Sequence, residues 1–410
     1  MSANFILILI IAFVLLEFIF GKVLDFLNAK SWDQKLPASV ADLYDDKKYE
    51  TAKNYAKENG NVALISGLIG TVVILAILVF KGFGQLDEWL ATISENKIIQ
   101  SLLFFGILSA VSSIMGMPFS LYKTFVIEEK YGFNKTTWKT YVLDFFKSLI
   151  LGALIGGLIL SVLTWVYYAL PDKFWWIAWI IMTAFSLFFA TFYTTLILPL
   201  FNKLAPLEAG SLRDSIEAYA QKVSFPLTNI FVIDGSKRSS KANAFFSGLG
   251  KKKAIVLYDT LLKDNTEEEL TAILAHEVGH YQKNHIKQSM ILAVIQTGVL
   301  FFLFGMLSSS SALAGALGAS ANNFHIALIG FSMLYSPVSL LIGILMNMFS
   351  RKNEFEADAF AKETYDGAPL QSALKKLSVN HLSNLTPHPY YVFAHYSHPP
   401  LAQRLEALQG

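Results

Sequence analysis

Seven stretches of this chain stay apolar for long enough to cross the hydrocarbon of a bilayer, and that limits its possible folds more than any other feature. They run over 4–20, 62–81, 98–122, 148–170, 174–200, 287–307 and 324–350. A hydrocarbon layer of about 30 Å takes about 20 helical residues. In lipid each backbone N–H and C=O must be satisfied within the protein, so these segments are expected as helices. Composition agrees: hydrophobic residues make up 54% of the 410 and charged residues 16%, against roughly 25% charged in an ordinary soluble domain. The first stretch has no basic segment ahead of it and no small-residue cleavage site after it. It reads as a retained span, not a removable signal.

Two polar segments, 202–286 and 351–410, flank the last two spans. Two crossings separate them, so both lie on one side of the membrane and can build one domain. Of the 33 Lys and Arg residues only Lys81, Lys97 and Lys173 belong to the opposite side. The excess extends to the short connections 21–61 and 123–147, where the positive-inside rule has most force, so the polar domain is expected in the cytosol and the N-terminus outside. The chain thus divides into 1–201 (five spans with their loops), 202–286 (the polar domain), 287–350 (two spans) and 351–410 (the C-terminal part of the polar domain). A net charge of +2, carried by dispersed basic residues, argues against nucleic acid as a partner. With no cysteine there are no disulfides, no thiolate metal sites and no cysteine nucleophile, which leaves histidine and carboxylates as metal ligands.

Inside 202–286, Leu212, Ile216, Tyr219 and Val223 recur at helical spacing. Strands are expected at Ile230–Ile233, Ala242–Phe246 and Ala254–Tyr258, with Gly248–Lys251 as the turn joining the last two. Thr266-Glu-Glu-Glu269 reads as a capping box whose acidic residues suit the positive end of a helix dipole. That helix carries His276-Glu-Val-Gly-His280 and is expected to continue towards the sixth span.

Two histidines at i and i+4 on a helix project from one face and can hold one zinc ion. Glu277 is turned by about 100° from His276, which lets it reach a metal-activated water without ligating the metal. That is the chemistry of a metalloprotease: the metal lowers the pKa of the water and the glutamate takes its proton. A catalytic zinc takes a third protein ligand and keeps one open position. His285 lies nearby, but the compact three-histidine pattern is missing. The stretch Asn353-Glu-Phe-Glu-Ala-Asp358 offers a distant carboxylate instead. Glu354 and Asp358 share a helix face, so one can ligate while the other orients a bound histidine. Glu356 points elsewhere and reads as a solvated acid.

The order of motifs resembles the type I CaaX prenyl endopeptidases, multi-pass zinc proteases. It comprises seven spans, IEEKYGFNKTT at 127–137, SSKANAFFSG at 239–248, IVLYDTLL at 255–262, HEVGH, EFEADAFAK at 354–362 and HYSHPP at 395–400. The resemblance implies a mainly α membrane protein whose seven helices enclose an intramembrane chamber, capped by a cytosolic α+β, gluzincin-like zinc metalloprotease domain. It makes His276, His280 and Glu354 the ligands of one Zn2+ per chain, Glu277 the general base and Asp358 the partner of a ligand. It places Asn243 and Ala244 on an edge strand that binds substrate backbone, an arrangement tolerant of varied sequences. His398 is assigned to the tetrahedral oxyanion, a role worth a few kcal/mol in comparable sites, and Arg404 to the neighbourhood of substrate. His285, His325, His381, His388 and His395 receive no assignment and are expected to be structural or exposed. Gln288 and Gln296 suit a wet interior.

The expected activity is endopeptidase cleavage near the C-terminus of prenylated Cys-a-a-X proteins or peptides. A second reading keeps the chemistry but makes the job clearance of damaged membrane proteins, without prenyl specificity. A third, from another class, is a seven-span receptor or transporter with no catalysis. The expected partners are a peptide or protein substrate and the lipid bilayer, with the protein a monomer. Its expected location is the bacterial cytoplasmic membrane, or the endoplasmic reticulum of a eukaryote.

Overall fold

The computed structural model describes residues 2–227, 229–247 and 254–409. Among these, seven helices are long and apolar enough to cross a membrane: Ala3–Asp33, Asp46–Val79, Lys97–Glu128, Trp138–Ala169, Pro171–Phe201, His285–Leu307 and Phe324–Thr364. They coincide with the seven stretches read from sequence. Several run beyond the apolar window, because a helix that leaves lipid need not stop. The second starts 16 positions before its apolar stretch, where the Asp45 side chain accepts from Lys48 N–H, and it ends at Val79. Lys81 then adopts a left-handed conformation, φ 56°, and turns the chain into the short helix Gly82–Ile93.

The seventh span matters most for the site. It is a single helix of 41 residues, about 60 Å at 1.5 Å per residue, so it crosses the membrane and carries Glu354 and Asp358 out on the same rigid rod. Its far end is pinned by a buried polar cluster. His325 Nε2 lies 2.7 Å from Asp87 Oδ1, His325 Nδ1 lies 3.1 Å from Ser101 Oγ, and Asn323 Nδ2 donates to Asp87 at 2.7 Å. Around this cluster pack Phe83, Leu90, Phe104, Leu313 and Ile326. A buried polar group costs little once it is bonded, and here the bonds tie the seventh span to the third span and to the helix after the second.

The polar domain holds a four-stranded sheet among the described residues, in the order β1-β2-β4-β3. Its strands are β1 Leu204–Pro206, β2 Ile230–Ile233, β3 Ala244–Ser247 and β4 Ala254–Tyr258. β2 and β4 are parallel, while β1 and β3 pair antiparallel at the two edges. Periodicity missed β1: three residues ending in Pro206 are too short to alternate. The expected strand over Ala242–Phe246 starts later, at Ala244, although Asn243 still accepts from Tyr258 N–H at 3.0 Å. The proposed turn at Gly248–Lys251 lies outside the described residues.

The helix Glu267–Gln282 is buried on nearly every side, packed with β4, the helix Ser211–Lys222 and the outer end of the seventh span in one apolar cluster of Ile255, Leu257, Leu270, Leu274, Val278 and Ala361. It does not continue into the sixth span as expected. It stops at Gln282, Asn284 takes a left-handed conformation with φ 60°, and a new helix starts at His285. Asparagine is one of the few residues that accepts this conformation, because its short side chain can bond locally.

The motif IEEKYGFNKTT fastens membrane to domain. Glu128 accepts from Lys241 Nζ at 3.1 Å, Lys135 N–H donates to Arg238 O at 3.0 Å, and Arg238 grips Asp144 with two bonds of 2.7 and 3.0 Å. The segment leading into β3 is therefore held by the third and fourth spans and by the loop between them.

Candidate metal centre and cleft

The helix Glu267–Gln282 begins with the expected capping box. Thr266 Oγ1 accepts from Glu269 N–H at 3.3 Å and Glu269 Oε2 accepts from Thr266 N–H at 2.8 Å. Glu269 also takes Lys376 Nζ at 2.7 Å and Ser372 Oγ at 2.6 Å, which locks the start of the helix to the helix Gly367–Asn380. Burial alone would raise the Glu269 pKa, but these donors bring it below the usual glutamate value.

At its other end this helix crosses the seventh span at Gly279, where an added Cβ would stand 3.0 Å from Ala357 Cα and 3.1 Å from Ala357 O. Only a residue without a side chain allows an approach this close, and the approach is what brings Glu354 to the histidines. Gly279→Leu should therefore force the two helices apart. Overpacking costs about 1–3 kcal/mol, and the displaced Glu354 should also lower the metal bound per chain. Metal analysis beside a melting curve checks both, and full metal loading in the variant would contradict the crossing argument.

His276, His280 and Glu354 offer ligand atoms within 4.8 Å of one another. The two Nε2 atoms are 3.2 Å apart, His280 Nε2 is 3.2 Å from Glu354 Oε1, and His276 Nε2 is 3.5 Å from Glu354 Oε2. Tetrahedral ligands at about 2.0–2.1 Å from a zinc centre stand about 3.3 Å apart, so the three side chains are already spaced as zinc ligands. Glu354 Oε2 is buried; His398 Nδ1 stands 2.8 Å away, but no hydrogen bond of good geometry reaches it among the described residues. A buried carboxylate oxygen without a well-directed donor is costly, and a cation held at this point would satisfy it. The donor set fits zinc.

Each histidine is held from behind through Nδ1. His276 Nδ1 is 2.8 Å from Asp358 Oδ1, and Asp358 accepts two bonds from Arg404, from Nη2 at 2.6 Å and from Nε at 2.8 Å. Arg404 therefore grips Asp358, and its Nη1 also comes within 3.7 Å of Glu354. Burial would lower the Arg404 pKa, but the bond to Asp358 raises it further, so the guanidinium stays charged. His276 shows the same contest: burial lowers its pKa, and hydrogen bonds to Asp358 and Glu354 outweigh that and lift it to about 9. This carboxylate cage is built for positive charge. His280 Nδ1 lies 3.0 Å from His285 Nδ1, and His285 Nε2 lies 3.0 Å from Glu356 Oε2.

Glu277 lines the cleft beside His276 and Glu354, with burial raising its pKa above the ordinary glutamate value. His398 is mostly exposed and sits across the cleft, with Nδ1 2.8 Å from Glu354 Oε2. The loop that carries it follows the helix Pro389–His395, which is tied to the seventh span by Asn347 Nδ2 donating to Ala394 O at 2.8 Å and Arg351 Nη1 donating to Val392 O at 3.0 Å. The cleft encloses about 570 Å³ and has an apolar wall of Leu370, Leu374, Leu377 and Leu385. Asn243 and Ala244 line its rim at the open edge of β3, where Ala244 N–H donates to Asn243 Oδ1 at 2.9 Å.

Three unassigned residues prove to be built into the site. His285 is buried against His280, Glu356 is the acceptor behind it, and His381 Nε2 accepts from Ala242 N–H at 3.1 Å, directly ahead of the β3 edge. Burial, followed by the nearby Lys241, keeps the His381 pKa low, which suits an acceptor. His325 belongs to the polar cluster at the far end of the seventh span. His388 caps the helix Pro389–His395 by accepting from Tyr390 N–H at 3.2 Å, and His395 is exposed.

Comparison with known proteins agrees with this geometry along nearly the whole chain. Residues 25–203 match the family model described as CAAX prenyl protease N-terminal, five membrane helices, and residues 206–410 match Peptidase family M48. CAAX prenyl protease 1 of Saccharomyces cerevisiae is 35% identical over 98% of this chain and 94% of its own. The CAAX prenyl protease 1 homolog of Homo sapiens is 33% identical over 91% of this chain and 88% of its own. The crystal structure of S. mikatae Ste24p superposes with a TM-score of 0.92 at 36% identity, covering 98% of both chains. The chain belongs to peptidase family M48 and is a multi-pass membrane metalloendopeptidase of the CAAX prenyl protease type.

Proposed function

We propose that the protein binds one zinc ion per chain through His276, His280 and Glu354 and cleaves peptide bonds near the C-terminus of prenylated Cys-a-a-X proteins. The observation that carries the metal site is the convergence of His276, His280 and the buried Glu354 at tetrahedral spacing. The substrate class rests on the relatives named CAAX prenyl protease. They do not favour the reading as a quality-control protease, nor that of a receptor or transporter.

Zinc, when bound there, supplies Lewis acidity to the scissile carbonyl and lowers the pKa of a coordinated water. Glu277 takes a proton from the attacking water and returns it to the leaving amine; a pKa raised by burial brings it nearer the working range of a base. His398, on the opposite side of the cleft, donates to the oxyanion of the tetrahedral intermediate. Substrate adds to the open edge of β3 at Asn243 and Ala244, aligned by main-chain bonds so that many side chains are accepted. Asp358 and Arg404 hold His276 in place, and Arg404, which also lines the cleft, stands in the neighbourhood of substrate.

We place the domain formed by 202–286 and 351–410 in the cytosol, following the basic residues, with 1–201 and 287–350 supplying the spans. In a eukaryotic host that membrane is the endoplasmic reticulum, in a bacterium the cytoplasmic membrane. No more than 17% of any span's most apolar window is buried within the protein, which supports spans that surround a chamber. The protein acts as a monomer, since ligands, base and edge strand all come from one chain.

The test compares a farnesylated peptide with the same peptide unlipidated, using purified protein of measured zinc content and Glu277→Gln as control. One zinc per chain and cleavage of the farnesylated form faster by about tenfold, roughly 1.4 kcal/mol, are expected. Equal rates remove the prenyl preference and leave the protease. Full cleavage by Glu277→Gln overturns the mechanism.

A further inference from the structure

His280 is held through its Nδ1 in a way that HEVGH does not explain. Had the helix run on unbroken, His285, five residues beyond His280, would point about 140° away from it, at 100° per residue. The left-handed Asn284 ends that helix and starts another, and the reversal brings His285 back beneath His280. The two rings meet edge to face, centroids 5.1 Å apart and planes at 72°. His285 is only 3% exposed.

Proton positions follow from the geometry. His280 Nε2 faces His276 Nε2 and Glu354 Oε1, so it must keep its lone pair for a cation, and its proton sits on Nδ1. That N–H donates to His285 Nδ1 at 3.0 Å, which leaves the His285 proton on Nε2, where it donates to Glu356 Oε2 at 3.0 Å. Lys352 Nζ lies 3.6 Å from the other Glu356 oxygen. The chain His280–His285–Glu356–Lys352 thus parallels His276–Asp358–Arg404, each running from ligand to carboxylate to cation. The three acids of Glu354-Phe-Glu356-Ala-Asp358 divide the work: Glu354 faces the centre, Asp358 serves His276, and Glu356 serves His280 through an intervening ring.

We propose that His285 and Glu356 are positioning residues that fix the tautomer and ring orientation of His280 for metal binding. His285 is not a fourth ligand, because its Nδ1 is occupied on the side of His280 facing away from the other donors. The inference rests on the reading of His280 as a ligand. If the wild-type protein binds no metal, that reading fails, whereas the present one fails on the variants alone.

The test measures the dissociation constant for zinc by chelator competition, and the visible spectrum of the cobalt-substituted protein, in His285→Ala, Glu356→Ala and Glu356→Gln. Removing an outer partner of a metal-bound histidine weakens affinity about 10- to 100-fold. His285→Ala is expected in that range with an altered cobalt band. Glu356→Ala should move both readouts in the same direction, and Glu356→Gln, which keeps an acceptor oxygen, should restore most of the wild-type values. A purely structural role would change the melting temperature without moving the cobalt band. Wild-type affinity and spectrum in both alanine variants overturn the proposal. Should His285→Ala fail to fold, Glu356→Ala, at a half-exposed position, decides alone.

Discussion

Glu277→Gln should lower kcat about 10³-fold or more while zinc content and peptide binding stay near wild type. The change keeps the volume and the half-buried setting of the side chain but removes its basicity, and general acid–base groups contribute about 10²- to 10⁴-fold. Glu277 donates no ligand atom to the cluster of His276, His280 and Glu354, so the metal should remain. Single-turnover cleavage of a farnesylated peptide, beside metal analysis, separates the two effects. Loss of zinc together with activity would mean that Glu277 supports the site and is not its base. An unchanged kcat would remove it from the mechanism altogether.

Arg404→Ala should be the most destabilising single change near the site. Asp358 is 1% exposed and Arg404 9%, and the bond between them is bidentate. Removing one partner of a buried pair strands the other charge, at about 3–5 kcal/mol. The apparent melting temperature should fall accordingly, and zinc should bind more weakly because Asp358 would no longer be held against His276. Arg404→Lys should recover only part of the loss, since an ammonium cannot reproduce the two-pronged contact. Changing both members, Asp358→Asn with Arg404→Met, should regain stability relative to Arg404→Ala, because no bare charge is left buried. Zinc affinity should stay low, since His276 would still lack its anion. If Arg404→Ala melted like wild type, Asp358 would have to find compensation elsewhere.

The part of the site that was legible in the sequence is local. His276 and His280 are one helical turn apart, so their common face follows from spacing alone, and the Thr266–Glu269 box follows from two residue types three positions apart. The seven spans were equally plain, because lipid leaves the backbone few ways to satisfy itself. What sequence reasoning left unassigned are contacts between segments that no fixed spacing relates. His285 reads as a bystander five residues past His280, and only the reversed backbone at Asn284 brings it under that ring. Glu356 lies on another face from Glu354 and Asp358, so it reads as a solvated acid until that histidine is in place. His381 meets the strand leading into β3 from 139 positions away in the chain.

The sequence by itself determined which segments lie in lipid, where the helix carrying His276 and His280 starts, and which residue types could hold a metal, because these depend on hydrophobicity and on spacing within one helix. The tertiary structure decided how the centre is closed. It set Glu354 against both histidines and Asp358 behind one of them, a division that spacing left open and only the resemblance implied, and it gave Arg404 to Asp358. It also joined the apolar stretch 324–350 and the acidic one after it into one continuous helix. These outcomes depend on how closely two helices cross at Gly279 and on where a bend at Asn284 sends the chain, and such distances are set by packing across the whole molecule, not by any local run of residues.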